Sequence, residues 1–206
     1  MINEELMNTV RASAFEVIEV TRFLTSQTAL TFMSAVAQQL ANAFISGHKV
    51  VVAGNGGSLC DASHFAEELT GCFRKPRRAL PAIVLSEPGH LTCVGNDFGF
   101  DDVYRRGIEA FGQKGDLFVA LTTSGRSVNI VRAVEEAKSR GMTTVCFLGK
   151  GGGDLLDVAD FQLIVPRAST SDRIQEVHMA CLHIIIEAVE ALMFPSEKSI
   201  LHPSSD

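Results

Sequence analysis

The stretch that most restricts how this chain can fold runs from Lys49 to Glu68. Lys49-Val50-Val51-Val52-Ala53 is apolar without alternation, which fits a strand covered on both faces, as in a parallel sheet. Gly54-Asn55-Gly56-Gly57-Ser58 follows, and residues without a Cβ let backbone N–H groups come close to an anion. The next segment has a helical pattern whose positive end faces the same point. His64 and Glu68 lie four residues apart on it and share one face. A glycine cradle beside a His/Glu pair implies a site for a phosphorylated small molecule. No Lys-Ser/Thr follows the glycines, so this is not a Walker loop, and Leu59 stands where a dinucleotide fingerprint needs its third glycine.

Strand–loop–helix units recur along the rest of the chain. Strands are expected at 79–85, 116–121, 143–148 and 161–165, with Pro81 near the start of its strand, where a missing donor is tolerated. Helices are expected over 57–71, 87–95, up to about 112, 128–140 and 171–193. This pattern implies an α/β fold: a five-stranded parallel sheet with helices on both faces and right-handed crossovers. Two helices, over 4–24 and 29–45, precede it and are expected to pack on the sheet or on another subunit. The reading is one domain over 1–194, including a helical extension over 1–46. A Pro/Ser-rich tail over 195–206 is expected to fray.

Composition narrows the function classes. A net charge of −6 over 206 residues argues against a nucleic-acid binder that works by general phosphate attraction. Cys60, Cys72, Cys93, Cys146 and Cys181 are scattered without any CxxC spacing, which reads as reduced thiols in a cytoplasmic protein. Cys60 and Cys93 are expected to be packed thiols rather than nucleophiles. The N-terminus, with Asn3, Glu4 and Glu5, does not read as a signal peptide. The most apolar segment, 179–194, contains His183, Glu187 and Glu190 and is too short and too charged to span a bilayer. Arg74-Lys75-Pro76-Arg77-Arg78 is expected as a solvated loop or a local helper for an anionic substrate, not a nucleic-acid patch.

A second candidate loop, Thr122-Thr123-Ser124-Gly125-Arg126-Ser127, has four hydroxyls ahead of a helix. Such hydroxyls either cap the helix or bind phosphate oxygens. In open α/β sheets ligands bind beyond the carboxyl ends of the strands, where strand order reverses. Both loops occupy such ends, and their pairing favours the phosphate reading.

Gly54-Asn55-Gly56-Gly57-Ser58, Asp61, His64-Phe65-Ala66-Glu67-Glu68-Leu69-Thr70-Gly71, Cys93-Val94-Gly95-Asn96-Asp97-Phe98-Gly99-Phe100 and Arg173-Ile174-Gln175-Glu176 together resemble one family. It is the phosphoheptose isomerase (sedoheptulose-7-phosphate isomerase) family of the sugar-isomerase (SIS) domain superfamily, and the similarity covers nearly the whole chain. The resemblance implies a flavodoxin-like SIS fold and a cytoplasmic homotetramer with active sites built between subunits. The implied reaction turns sedoheptulose 7-phosphate into D-glycero-D-manno-heptose 7-phosphate, the first step of ADP-heptose synthesis for the lipopolysaccharide inner core. Ketose–aldose isomerisation through an enediol needs a base, a second proton-handling group and stabilisation of the enediolate. Glu68 is the candidate base and His183 the second acid/base. The resemblance places one Zn²⁺ per subunit at His64, Glu68, Gln175 and His183, a nitrogen and oxygen set that suits zinc.

The family pattern also assigns substrate contacts. Asn55, Gly56, Gly57 and Ser58 match its first substrate loop, and Asn96 and Asp97 its pair for the sugar hydroxyls. Thr122, Thr123, Ser124 and Ser127 match its phosphate loop. Glu68, Asp172 and Gln175 complete the set, while His178 has no metal role in the pattern. Gln175 and His183 stand about 12 Å apart along one straight helix, so a site completed across a subunit interface is expected. Cys72 stands where close relatives carry Arg, so a basic group near the substrate is lost or is supplied by Arg74. The alternative is a non-catalytic SIS-domain adaptor that binds the bacterial replication initiator. That adaptor has Thr at the position of Gly57, Arg after the Ser/Thr pair, and no second histidine on the last helix. Gly57, Ser124 and His183 favour the enzyme.

Overall fold

A computed structural model describes residues 3–166, 168 and 170–195. Five strands, β1 (Val50–Gly54), β2 (Ala82–Val84), β3 (Leu117–Thr122), β4 (Thr143–Leu148) and β5 (Phe161–Ile164), form one sheet in the order β2-β1-β3-β4-β5. All four neighbouring pairs are parallel. The order reverses between β1 and β3, so the carboxyl ends of these two strands flank the crevice where a ligand is expected.

β1 and β3 are buried at every position, which explains their unbroken apolar runs. Alternate side chains feed two cores. Val50, Val52, Leu117, Val119 and Leu121 pack beneath α2 (Gln27–Ile45), α3 (Gly57–Thr70) and α7 (Ser171–Met193). Val51, Ala53, Phe118 and Ala120 pack beneath α4 (Pro88–Asp97), α5 (Val103–Phe111) and α6 (Val128–Ser139). α3 and α7 therefore cover the same face of the sheet, and that neighbourhood builds the site.

Three boundaries differ from the sequence expectations. β2 is shorter than 79–85 because Pro81 has no N–H; its carbonyl accepts from Val50, and pairing starts at the next residue. The first helix, α1 (Glu4–Thr21), gives way to a tight turn over Arg22–Thr25, and Ser26 then caps α2 by accepting from the Ala29 N–H. α4 runs on through Asn96 and Asp97, so these two lie at a helix end and not in a loop.

α1 has no buried residue, yet it exposes Leu6, Met7, Val10, Phe15 and Ile18. Among the described residues no helix is long and apolar enough to cross a membrane. From residue 196 onward the expected tail lies outside the described residues.

Candidate active site

Three helix N-termini meet at one small cavity of about 180 Å³, lined by Asn55, Ser58, Leu121, Thr122, Thr123, Ser124, Ser127, Ser171 and Gln175. These residues come from the end of β1 and start of α3, the end of β3 and start of α6, and the first turn of α7. α1, α2 and α4 each have a side-chain cap, from Asn3, Ser26 and Glu87. α3, α6 and α7 have none. Their positive ends meet at the cavity, the electrostatic arrangement that attracts an anion, although the Asp172 carboxylate takes up the Asp172 and Arg173 N–H groups in the first turn of α7. Simple helix capping, the competing reading of the Thr122–Ser127 loop, does not describe Ser127, whose hydroxyl caps nothing. Thr122 and Ser124 instead brace the loop by accepting from the Gly125 and Arg126 N–H groups, both at 3.2 Å.

Gly57 opens the way for Gln175. A Cβ at position 57 would lie 2.8 Å from both terminal atoms of the Gln175 amide. With only hydrogen there, Gln175 lies against the loop and donates to Ser58 Oγ at 3.3 Å. Asn55 is turned the other way: its amide exchanges two 2.9 Å hydrogen bonds with the buried Asn129 at the start of α6. That pair ties the β1 loop to the β3 loop across the reversal of strand order.

Further along the same two helices, His64 and Glu68 on α3 meet His183 on α7. His64 Nε2 is 3.0 Å from His183 Nε2 and 3.5 Å from Glu68 Oε1. One ligand atom from each residue lies within 4.8 Å of the others. All three come from one chain, so this cluster forms without a residue from a neighbouring subunit. α3 and α7 run side by side in the same sense, and each delivers a polar group at both levels. Two imidazole nitrogens and a carboxylate oxygen form a donor set typical of a catalytic zinc site with an open fourth position, and their spacing fits one ion. Gln175 is held at the cavity end by Ser58, about 12 Å along the helix from His183.

The surroundings of His183 were hidden in the sequence. Phe73 stacks on its ring at 5.7 Å, and the Arg74 guanidinium lies over Phe73 at 5.2 Å. A cation therefore sits one aromatic layer from His183 although position 72 is cysteine. Cys72 itself is exposed, as are Cys60 and Cys93, so the last two are not the packed thiols expected. The Arg74–Arg78 run is mostly solvated, as expected: Arg74, Lys75 and Arg78 are exposed, Arg74 pairs with Glu187 at the surface, and only the Arg77 side chain is buried, against Glu190 at 2.6 Å.

Several expected site residues do not line the cavity. Asn96 and Asp97 are exposed and bond each other at 2.7 Å. Asp172 lies in the first turn of α7, with its carboxyl held below the usual carboxylate range by Thr170 and by the nearby Arg173. Ser171, which sequence reading passed over as a helix start, does line it and pairs with Thr123 Oγ1 at 3.1 Å.

His178 is fully buried, and its Nε2 meets the Leu148 carbonyl oxygen at 3.1 Å. Burial pushes its pKa down from 6.5 to about 4. Between those values the unfolded chain binds the extra proton, so stability is lost as pH falls through this window. The loss expected on acidification is of order 3 kcal/mol. Urea midpoints followed from about pH 7 to about pH 4.5 for wild type and His178→Gln check it: the variant loses that part of the slope, and equal slopes refute the assignment.

A family model described as "SIS domain" matches residues 16–149. A phosphoheptose isomerase from Fusobacterium nucleatum is 58% identical over 160 residues, covering 78% of this chain and 82% of the relative. The phosphoheptose isomerase of Vibrio cholerae is 45% identical over 190 residues, with 92% and 98% coverage. The chain belongs to the phosphoheptose isomerase family. A solved family structure from Neisseria gonorrhoeae superposes with a TM-score of 0.83 at 32% identity, covering 90% of this chain and 99% of that one. One from Francisella tularensis gives 0.84 at 30% identity, with 89% and 97% coverage. The family's sheet and the helices that carry His64, Glu68 and His183 are thus within the shared fold.

Proposed function

We propose that this chain isomerises sedoheptulose 7-phosphate to D-glycero-D-manno-heptose 7-phosphate, opening ADP-heptose synthesis for lipopolysaccharide. One observation carries the reading: an anion cavity and a His/Glu/His cluster lie at two levels of the same helix pair. Ser58 and His64 are six residues apart on α3, about 9 Å along its axis. The eight bonds from C1 of an open-chain heptose to its 7-phosphate phosphorus span roughly the same distance when extended. With the phosphate at Thr122–Ser127 and Ser171, C1 and C2 reach Glu68 and His183.

Glu68 then takes the proton from one carbon and returns it to the other, and His183 moves protons between the two oxygens. Gln175 and Ser58, in the cavity wall, hold the phosphate end of the sugar. A zinc ion held by His64, Glu68 and His183 would polarise the carbonyl and stabilise the enediolate, whereas Gln175, the family's fourth ligand, is held at the cavity end by Ser58. Asn96 and Asp97, exposed in the single chain, serve a site completed by a neighbouring subunit. The apolar stripe of α1 supplies a surface for such assembly into a homotetramer, because exposed patches of this kind mark association. The enzyme works in the cytoplasm on this reading. The adaptor alternative has no use for a second histidine meeting His64.

Incubation of the purified protein with sedoheptulose 7-phosphate, with and without a chelator, tests the reading. Conversion to the heptose is expected, falling when zinc is stripped and returning when it is restored. No heptose under any condition from an intact assembly overturns the function, and full activity after complete zinc removal overturns the metal role alone.

A further inference from the structure

The cavity assigned to the phosphate has hydroxyls, amides and helix ends, but no lysine or arginine among its lining residues. A phosphate ester carries a charge of about −1.5 to −2 at neutral pH, and this chain already has a net charge of −6. The Gly149–Gly153 turn lies directly against the cavity's Thr122–Ser127 loop. Gly125 has φ +65, and a Cβ there would collide with the Gly152 carbonyl oxygen. Asp154 N–H donates to the Gly125 carbonyl at 3.0 Å, which locks the two loops together.

Lys150 sits in that turn with φ +47, a left-handed conformation that costs any residue with a Cβ and that glycine adopts freely. Three glycines follow it, so a lysine is the unexpected occupant. Asp157, the other left-handed residue besides glycines among those described, has a local reason: it closes two hydrogen bonds with Gln162. Lys150 has no such local partner. Its ammonium reaches Ser171 Oγ at 3.5 Å, and Ser171 lines the cavity and pairs with Thr123. No other lysine or arginine side chain among the described residues bonds a residue of the cavity wall.

We propose that Lys150 is the cation that neutralises the substrate phosphate, held at the cavity mouth by the backbone lock between the 149–153 turn and the Thr122–Ser127 loop. The unfavourable backbone is retained because a glycine there would remove the charge. This role rests on the sugar-phosphate reading of the site, and Ser171 shares it by orienting the ammonium toward Thr123 and Ser124.

Lys150→Gly separates the role from a scaffold role, because glycine relieves the backbone while deleting the charge. The variant is expected to raise KM for sedoheptulose 7-phosphate, and the dissociation constant of inorganic phosphate measured by calorimetry, about tenfold. Its kcat should stay within about twofold and its thermal midpoint should hold or rise. Lys150→Arg should recover most of the affinity. Unchanged KM and phosphate affinity overturn the proposal, as does a joint fall in kcat and thermal midpoint, which would mark Lys150 as scaffold. Wild-type protein that binds phosphate but converts no sugar phosphate overturns the isomerase reading and leaves the calorimetric comparison to decide Lys150.

Discussion

Glu68→Gln is expected to lower kcat by roughly 10²- to 10⁴-fold, the range that a positioned general base contributes. KM should change little, because the phosphate is held nearly three turns away along α3, and the thermal midpoint should hold because Glu68 packs no core. The amide keeps the shape and hydrogen-bonding reach of the carboxylate but cannot take a proton. A fall smaller than about tenfold in steady-state assays removes Glu68 as the base. Mixing this variant with His183→Gln should restore nothing, since His64, Glu68 and His183 meet within one chain. Recovery of activity in the mixture would place the working pair across an interface after all.

The largest stability effect is expected at Arg77. Its side chain is only 3% exposed, and it donates to Glu190 at 2.6 Å while also bonding the Glu68 and Leu69 carbonyls at 2.7 and 2.9 Å. One guanidinium therefore closes the C-terminal end of α3 and ties it to α7, the two helices that carry the cluster. Planar, multi-donor geometry of this kind suits arginine and not lysine. Arg77→Leu leaves Glu190 with its charge unpaired and α3 with two open carbonyls, and should cost about 3–5 kcal/mol. For a chain of this size that is a drop of roughly 10 °C in the thermal midpoint. Arg77→Leu combined with Glu190→Leu should regain part of the loss, because the stranded charge is gone. A loss below about 1 kcal/mol would mean that the pair is dispensable.

The strands and both ligand loops were legible in the sequence because a two-sided buried sheet writes itself as unbroken apolar runs punctuated by glycine and hydroxyl residues. The His64/Glu68 spacing was legible because one helix carries both. His183 could be assigned from the family pattern, but its partner could not, since only the packing of α7 beside α3 brings it to His64. Phe73, Ser171 and Arg77 were missed for the same reason: each acts through residues far away in the chain. Asn96 and Asp97 show the opposite case, expected at the site and found on the outside of the chain.

Gly57 separates the architecture of this protein from its chemistry. Neither core contains it, and no strand pairing depends on it. A side chain there would push Gln175 off the loop and leave sheet and helices as they are. One substitution there would thus reshape the cavity wall and keep the outline of the fold.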